Sequence, residues 1–515
     1  MTAFDPLAEK KTAIFLLKIG VPGVNHRIRK LKKILVIFRS IQTNRNRPLM
    51  VNIFEFINSG GTSMKTLQGI FFILIAVFVT DGSTSRLLAE EQPPKTQLDA
   101  RLTQTVTVAD LVSYAYRENP SILSAKEAWK ATVERYRLAA GYPDPQFTAT
   151  YFPEPIETRL GPQDWNMNLS QVIPFPGKLS KAGEVVQVEA RIAKLDLDKA
   201  VRDVTVSIRE SFYEFMYIRK AKLVTGENIQ LLNHLRKIAE TTYADDRATF
   251  FDVVKAQAQT GQLRYDAILL DELEMTEQTR LNGILDRDPD AEFGRLEAGT
   301  LKSLAYSVQE IYRLAEDHQE EIQIAKTQIE KAQTKVDLAR YQNLPDFKVG
   351  VTYSAIGKPD VSNPPSDEGR DAYGVQFGLT VPLWFGKNKS RVGRARAEME
   401  KAKAMTSLRI NETQTKIRAL FFRLENARRI MELYGKELLP QAAKSMEIAE
   451  TWFRQGESSF SDFIETQAVW YNFQLAYARA RADYGKYLAR LEGLVGQNLT
   501  RKKSAPANST GKDDQ

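Results

Sequence analysis

The chain has 515 residues and a formal charge of +8; it contains no cysteine and three histidines, His26, His234 and His318. That composition excludes disulfide frameworks, zinc ribbons, thiolate nucleophiles and His-rich metal centres. Residues 1–63 hold 11 Lys/Arg against 3 Asp/Glu, and the other 61 basic and 61 acidic residues balance, so no basic nucleic-acid surface is indicated.

No HExxH, GxSxG or GxxxxGK[ST] pattern occurs, and Gly177-Lys178 and Gly386-Lys387 lack the upstream glycine of a phosphate loop. Neither an enzyme nor a cofactor nor a resident metal is expected. Met64-Lys65, the apolar run Ile70–Val79 and the small-residue site Leu87-Leu88-Ala89 read as a secretory signal peptide over 64–89. Gly60-Gly61 can be encoded as a ribosome-binding sequence two codons before Met64. Residues 1–63 are accordingly read as an untranslated or disordered upstream extension, with a genuine basic extension as the alternative.

The following chain is a duplication. Tyr142-Pro143-Asp144 recurs as Leu344-Pro345-Asp346, and Gly177-Lys178 as Gly386-Lys387. Ile238-Ala239-Glu240-Thr241 is repeated without change as Ile448-Ala449-Glu450-Thr451. The offset drifts from 202 to 210, as small loop insertions would make it do. Copies are assigned to 105–300 and 301–497, with a disordered polar tail at 498–515.

In the first copy the pattern predicts an amphipathic segment Val108–Glu118, a helix Ser121–Ala140, two strands and a helix from Lys178 to about Glu240. A turn and a helix Phe250–Arg287 complete it. The second copy repeats this as Leu301–Glu316, Glu320–Tyr341, two strands, Asn388 to about Arg454, a turn and Phe460–Leu494. At 1.5 Å per residue each long helix covers roughly 95–100 Å.

The strands alternate. Phe147, Ala149 and Tyr151 oppose Thr148 and Thr150; Trp165, Met167 and Leu169 oppose Asn166, Asn168 and Ser170. Phe347, Val349, Val351 and Tyr353 alternate with Lys348, Gly350, Thr352 and Ser354, and Tyr373, Val375, Phe377 and Leu379 with Gly374, Gln376, Gly378 and Thr380. One aromatic-rich face and one small polar face suit a membrane β-barrel, and also a half-buried soluble hairpin. Four strands cannot close a barrel, and an open edge in lipid leaves backbone groups unsatisfied. Eight strands fill with side chains, whereas twelve leave room for water, so a trimer is the smallest assembly with a pore.

From about 105 to 497 the sequence resembles the outer-membrane efflux proteins of the TolC type. The likeness rests on Asn119-Pro120, the two Pro-Asp strand entries, and Val172-Ile173-Pro174-Phe175-Pro176-Gly177-Lys178 with its counterpart Val381-Pro382-Leu383-Trp384-Phe385-Gly386-Lys387, in the same order twice. The resemblance implies a mainly α chain with internal duplication, and a homotrimeric twelve-stranded β-barrel in the outer membrane continued by a long periplasmic α-helical barrel. It also implies a passive duct for small solutes or metal cations, coupled through a periplasmic adaptor to an inner-membrane pump of RND type. A type I secretion exit duct and a periplasmic coiled-coil scaffold without a pore are the alternatives.

Within that resemblance the turns around Tyr243, Asp246, Arg247 and Thr249, and around Phe453, Gly456 and Ser459, correspond to adaptor-docking tips. Asp252, Asp462 and Glu465 correspond to the constricted entrance, although Thr249-x-x-Asp252 and Ser459-x-x-Asp462 also read as helix-capping boxes. Tyr151, Trp165, Tyr373 and Trp384 are candidate membrane-interface aromatics. Two positions depart from the family pattern: His318-Gln319 stands where a proline is common, and Asp245-Asp246-Arg247 replaces a glycine-containing turn.

Overall fold

The chain divides into two units, Met1–Gln92 and Pro93–Gln515. A computed structural model describes residues 99, 101–244, 250–297, 299–363, 365–455 and 457–500, all in the second unit. The upstream extension, the signal segment and the tail beyond 500 lie outside the described residues.

The first copy comprises β1 (Thr105–Val106), α1 (Val108–Glu118), α2 (Pro120–Ala140), β2 (Gln146–Thr158), β3 (Gly161–Ile173), α3 (Lys178–Ala244), α4 (Phe250–Leu285) and β4 (Arg295–Leu296). The second comprises α5 (Val308–His318), α6 (Glu320–Tyr341), β5 (Asp346–Ile356), β6 (Ala372–Thr380), α7 (Phe385–Leu433), α8 (Leu439–Gln455) and α9 (Phe460–Val495).

Local chemistry sets the helix starts. Thr107 and Asp110 cap α1 reciprocally, as Ser307 and Glu310 cap α5. The Ser307 box explains why α5 begins at Val308 and not at Leu301, where the apolar pattern began. Asn119 caps α2 ahead of Pro120, and its amide also donates to the Ile284 carbonyl at 2.7 Å. Gln319, at the corresponding place before α6, makes no cap bond; its side-chain oxygen accepts from Thr413 Oγ1 on α7 at 3.0 Å.

The second long helix is not continuous as expected. Residues Tyr434–Leu438 form a π-helical turn between α7 and α8. Pro440 lies just inside α8, where it brings no N–H and its ring would meet the carbonyl four residues back; the widened turn relieves both. Gly435 fits there because a Cβ would stand 3.0 Å from the Tyr477 ring.

β2, β3, β5 and β6 form one antiparallel sheet in that order, and β1 pairs in parallel with β4. The helices repeat this sequence of neighbours. Nearer the strands the order is α2-α3-α6-α7; beyond α1 and α5 it becomes α4-α3-α9, followed by α7 and α8. Stacked α2 and α4 therefore run along α3.

Two apolar clusters sit midway, where the short helices meet the long ones. One joins Leu111 and Tyr114 of α1, Phe212 and Phe215 of α3 and Leu281 of α4. The other joins Ile311 of α5, Ile417 and Leu424 of α7 and Leu488 of α9. Leu499, assigned by sequence to the tail, is buried in this second cluster, and its carbonyl accepts from the Ala305 amide at 2.9 Å. Gly496, at φ +82°, closes α9 against the His318 carbonyl, 2.5 Å from where a Cβ would stand.

Ion pairs join α3 to its neighbours. Glu214 accepts from Arg479 at 2.8 Å and Lys486 at 2.6 Å. Burial pushes the Glu214 carboxyl up, but hydrogen bonds from Lys486 and Arg479 outweigh it and hold the group below the ordinary glutamate range. Glu274 is held low in the same way, against burial, by Lys222 and Arg219. A lowered folded-state pKa gives stability that is present above the unfolded value and lost as pH falls through the folded one. Glu214→Gln is therefore expected to cost about 1–2 kcal/mol at neutral pH, between exposed and buried pairs. It should also flatten the loss of melting temperature between about pH 6 and pH 3, where carboxylates protonate. Equal acid sensitivity in variant and parent by circular dichroism would remove Glu214 from that account.

Candidate channel wall and entrance

The register aligns every alternation on one sheet. Phe147 pairs with Leu169, Leu169 with Val351 and Val351 with Val375, giving an apolar row across all four strands. A second row runs Ala149, Met167, Tyr353, Tyr373. The opposite face aligns Thr148, Asn168, Thr352 and Gly374. There Asn168 Nδ2 donates to Gln376 Oε1 at 3.2 Å, and Asn166 Nδ2 to Ser354 Oγ at 3.4 Å. A Cβ at Gly374 would stand 2.5 Å from Thr352 Oγ1, so this face is kept small. The apolar face is open: Phe347, Val351, Val375 and Phe377 are all exposed, an arrangement that water disfavours over so large a patch.

Of the candidate interface aromatics, Tyr151 and Trp165 pack at 4.7 Å and Tyr373 packs on Tyr353 at 5.5 Å, near the β2–β3 turn. Trp384 lies past the other end of β6 and is 76% exposed. The aromatics thus form two levels. Sequence reasoning placed Tyr353 on the apolar face without counting it in the girdle; its register with Tyr373 was the missing information. Tyr353 OH also donates to Asp371 Oδ2 at 2.6 Å.

At the far end of the helices, Asp462 does what its spacing suggested. Ser459 Oγ donates to Asp462 Oδ2 at 2.7 Å and accepts from the Asp462 amide at 3.1 Å, closing the box that starts α9. Glu465 is exposed and stands 3.6 Å from Lys255, its first-copy counterpart on α4, whose ammonium also donates to Ser461 Oγ. The structure therefore brings Asp462, Glu465 and Lys255 to one place. Phe453 packs on Phe460 at 5.4 Å and on Phe463 at 5.8 Å, an apolar plug with Leu232, Val253 and Met446. Tyr243 falls in the last turn of α3 and Asp252 in the first turn of α4. Their side chains, together with Asp246, Arg247, Thr249 and Gly456, lie outside what the structure describes. Among the described residues no cluster of His, Cys, Asp and Glu suits a metal ion, and no helix is long and apolar enough to cross a membrane.

Comparison with known proteins agrees with this arrangement. The family model for the outer membrane efflux protein matches residues 311–497. No curated protein matches the chain. Among solved structures, the outer membrane protein VceC of Vibrio cholerae is 17% identical, with TM-score 0.62, over 76% of this chain and 96% of its own. The CmeC outer membrane channel of Campylobacter jejuni is 14% identical, with TM-score 0.60, over 77% and 87%. The MtrE outer membrane channel of Neisseria gonorrhoeae is 14% identical, with TM-score 0.58, over 76% and 90%. At such identities the likeness is one of fold. Residues 311–497 match the outer membrane efflux protein family model, and the chain is TolC-like in fold.

Proposed function

We propose that three copies of this chain form a passive duct through the outer membrane, the exit component of a tripartite efflux system. The observation that carries this reading is the shared order of strands and helices. One flank of the molecule is β2 with α2 and α4; the other is β6 with α7 and α8. The flanks differ, so copies join head to tail, and such interfaces close into rings. Both carry exposed apolar side chains: Leu123, Tyr136 and Ile268 on one, Leu408, Phe422 and Trp452 on the other. Three copies supply twelve strands, enough for a water-filled barrel. The apolar face then meets lipid, the polar face lines the bore, and the helices extend into the periplasm. The work is conduction, with no covalent chemistry.

A periplasmic adaptor at the helix turns and an RND-type inner-membrane pump complete the proposal; small solutes or metal cations are the cargo. Asp252, Asp462 and Glu465 are assigned to the entrance. Two carboxylates ~6 Å apart in water repel by roughly 0.7 kcal/mol, so a threefold ring of them favours cations and resists narrowing.

Detergent-extracted protein should have the mass of three chains and open channels in planar bilayers. Asp462→Asn with Glu465→Gln should lower cation preference, read as the reversal potential in a salt gradient. Lys255→Gln, which uncovers Glu465, should raise it. Channels whose selectivity ignores all three changes would remove these residues from the entrance; a monomer without conductance would remove the duct.

A further inference from the structure

The duplication makes a statement about how copies touch. Within one chain, the exit from the first strand pair meets the entry to the second. Lys178 Nζ donates to Asp346 Oδ1 and to the Leu344 carbonyl, both at 2.7 Å, and the Phe175 amide donates to the same carboxylate at 3.0 Å. Only 12% of the Lys178 side chain remains exposed. Gly177, at φ +95°, makes room for the Tyr341 ring, 2.5 Å from where a Cβ would stand. Farther along, α3 and α6 are tied by Arg191 to Glu330.

Each partner has a counterpart in the other copy. Lys387 corresponds to Lys178 and Asp144 to Asp346, by the repeated Gly-Lys and Pro-Asp pairs. Both counterparts are exposed, and neither makes an ion pair among the described residues. Arg191 corresponds to Glu400 at the offset of 209 that relates Lys178 to Lys387. Glu330 corresponds to Lys130 at the offset of 200 that relates α1 to α5. The signs are exchanged, so the pair is complementary again. Among the described residues, Glu400 and Lys130 pair with near neighbours on their own helices, Lys403 and Glu127.

We propose that the seam inside the chain is repeated between chains: Lys387 of one copy binds Asp144 of the next, and Glu400 binds Lys130 of the next. The proposal rests on the head-to-tail ring, whose flanks are the elements that carry these four residues. A second copy is the occupant that charge complementarity selects. Lys387 stands at the exit of β6, Asp144 at the entry to β2, and one added strand pairing brings the two edges together. The ring thereby uses one kind of joint at every boundary between strand pairs, half of them covalent neighbours and half not.

The absence of cysteine gives a clean test. Two differently tagged chains, one with Asp144→Cys and the other with Lys387→Cys, are co-expressed, extracted in detergent and treated with a short bismaleimide. A linked product carrying both tags is expected, with none when both chains carry Asp144→Cys. Lys130→Cys with Glu400→Cys, on separate chains, is a second pair should the first disturb folding, and is expected to link likewise. Asp144→Lys should lower the temperature at which trimers dissociate in dodecyl sulfate, and Lys387→Asp in the same chain should restore it. A three-chain mass by light scattering without linkage at either pair, or without restoration, overturns the pairing and leaves the ring. A single-chain mass overturns both.

Discussion

Replacing Val351 by arginine is expected to abolish stable trimers in the outer membrane, while Asn168→Arg leaves them in place and changes conductance. Val351 lies midway along β5, flanked by Leu169 on β3 and Val375 on β6 in the apolar row. A cationic side chain on the lipid face near the bilayer midplane costs about 2–4 kcal/mol, and a threefold ring incurs that cost three times. Asn168 faces the other way, hydrogen-bonded to Gln376, on the side where the proposed water-filled bore accommodates charge. The contrast separates the membrane wall from a soluble hairpin, which would tolerate arginine at Val351, already exposed in the free chain. Membrane fractionation with heat-modifiability on gels reads the first variant, and bilayer conductance the second. Normal trimers from Val351→Arg would remove the sheet from the membrane.

Much of this wall was legible in the residues because alternation in a strand is local: one side chain fixes the facing of the next. Phe147 and Val375 could be assigned to one face without knowing which strands touch. Helix bounds were legible for the same reason, since Ser459 and Asp462 form their box within four residues. What could not be read was the meeting of distant segments. That β3 pairs with β5, joining the two copies within one sheet, follows from no local pattern. Nor does the approach of Lys255 to Glu465, more than two hundred residues apart, which offsets part of the charge assigned to the entrance. Gln319 illustrates the same limit. As a missing cap it looked like a departure from the family, yet its oxygen is used across the fold by Thr413. The π-helical turn fell between these cases: Pro440 was visible, but the helix resumes beyond it because α8 packs on α9, and that packing is tertiary.

Phe212→Ala is expected to destabilise the assembly by about 3–5 kcal/mol, the usual cost of emptying a fully buried aromatic site. Phe212 is 0% exposed and meets Tyr213 edge-to-face at 5.8 Å. Around it gather Leu111 and Tyr114 of α1, Ile208 and Phe215 of α3, and Leu281 and Leu285 of α4. These elements meet where the row of helices changes from α2 to α4 beside α3, so no single continuous helix can hold the junction. The cavity would have little means of collapse, because α1 is fixed at its start by the Thr107–Asp110 box and α2 by Asn119. Phe421, its counterpart in the second copy, is only partly buried in the isolated chain. Phe421→Ala should accordingly cost about half as much if nothing further covers it, and as much as Phe212→Ala if the next copy does. Thermal unfolding of the detergent-solubilised protein, followed by circular dichroism, compares the two. A loss below about 1 kcal/mol at Phe212 would mean that the midway cluster does not hold the helices together.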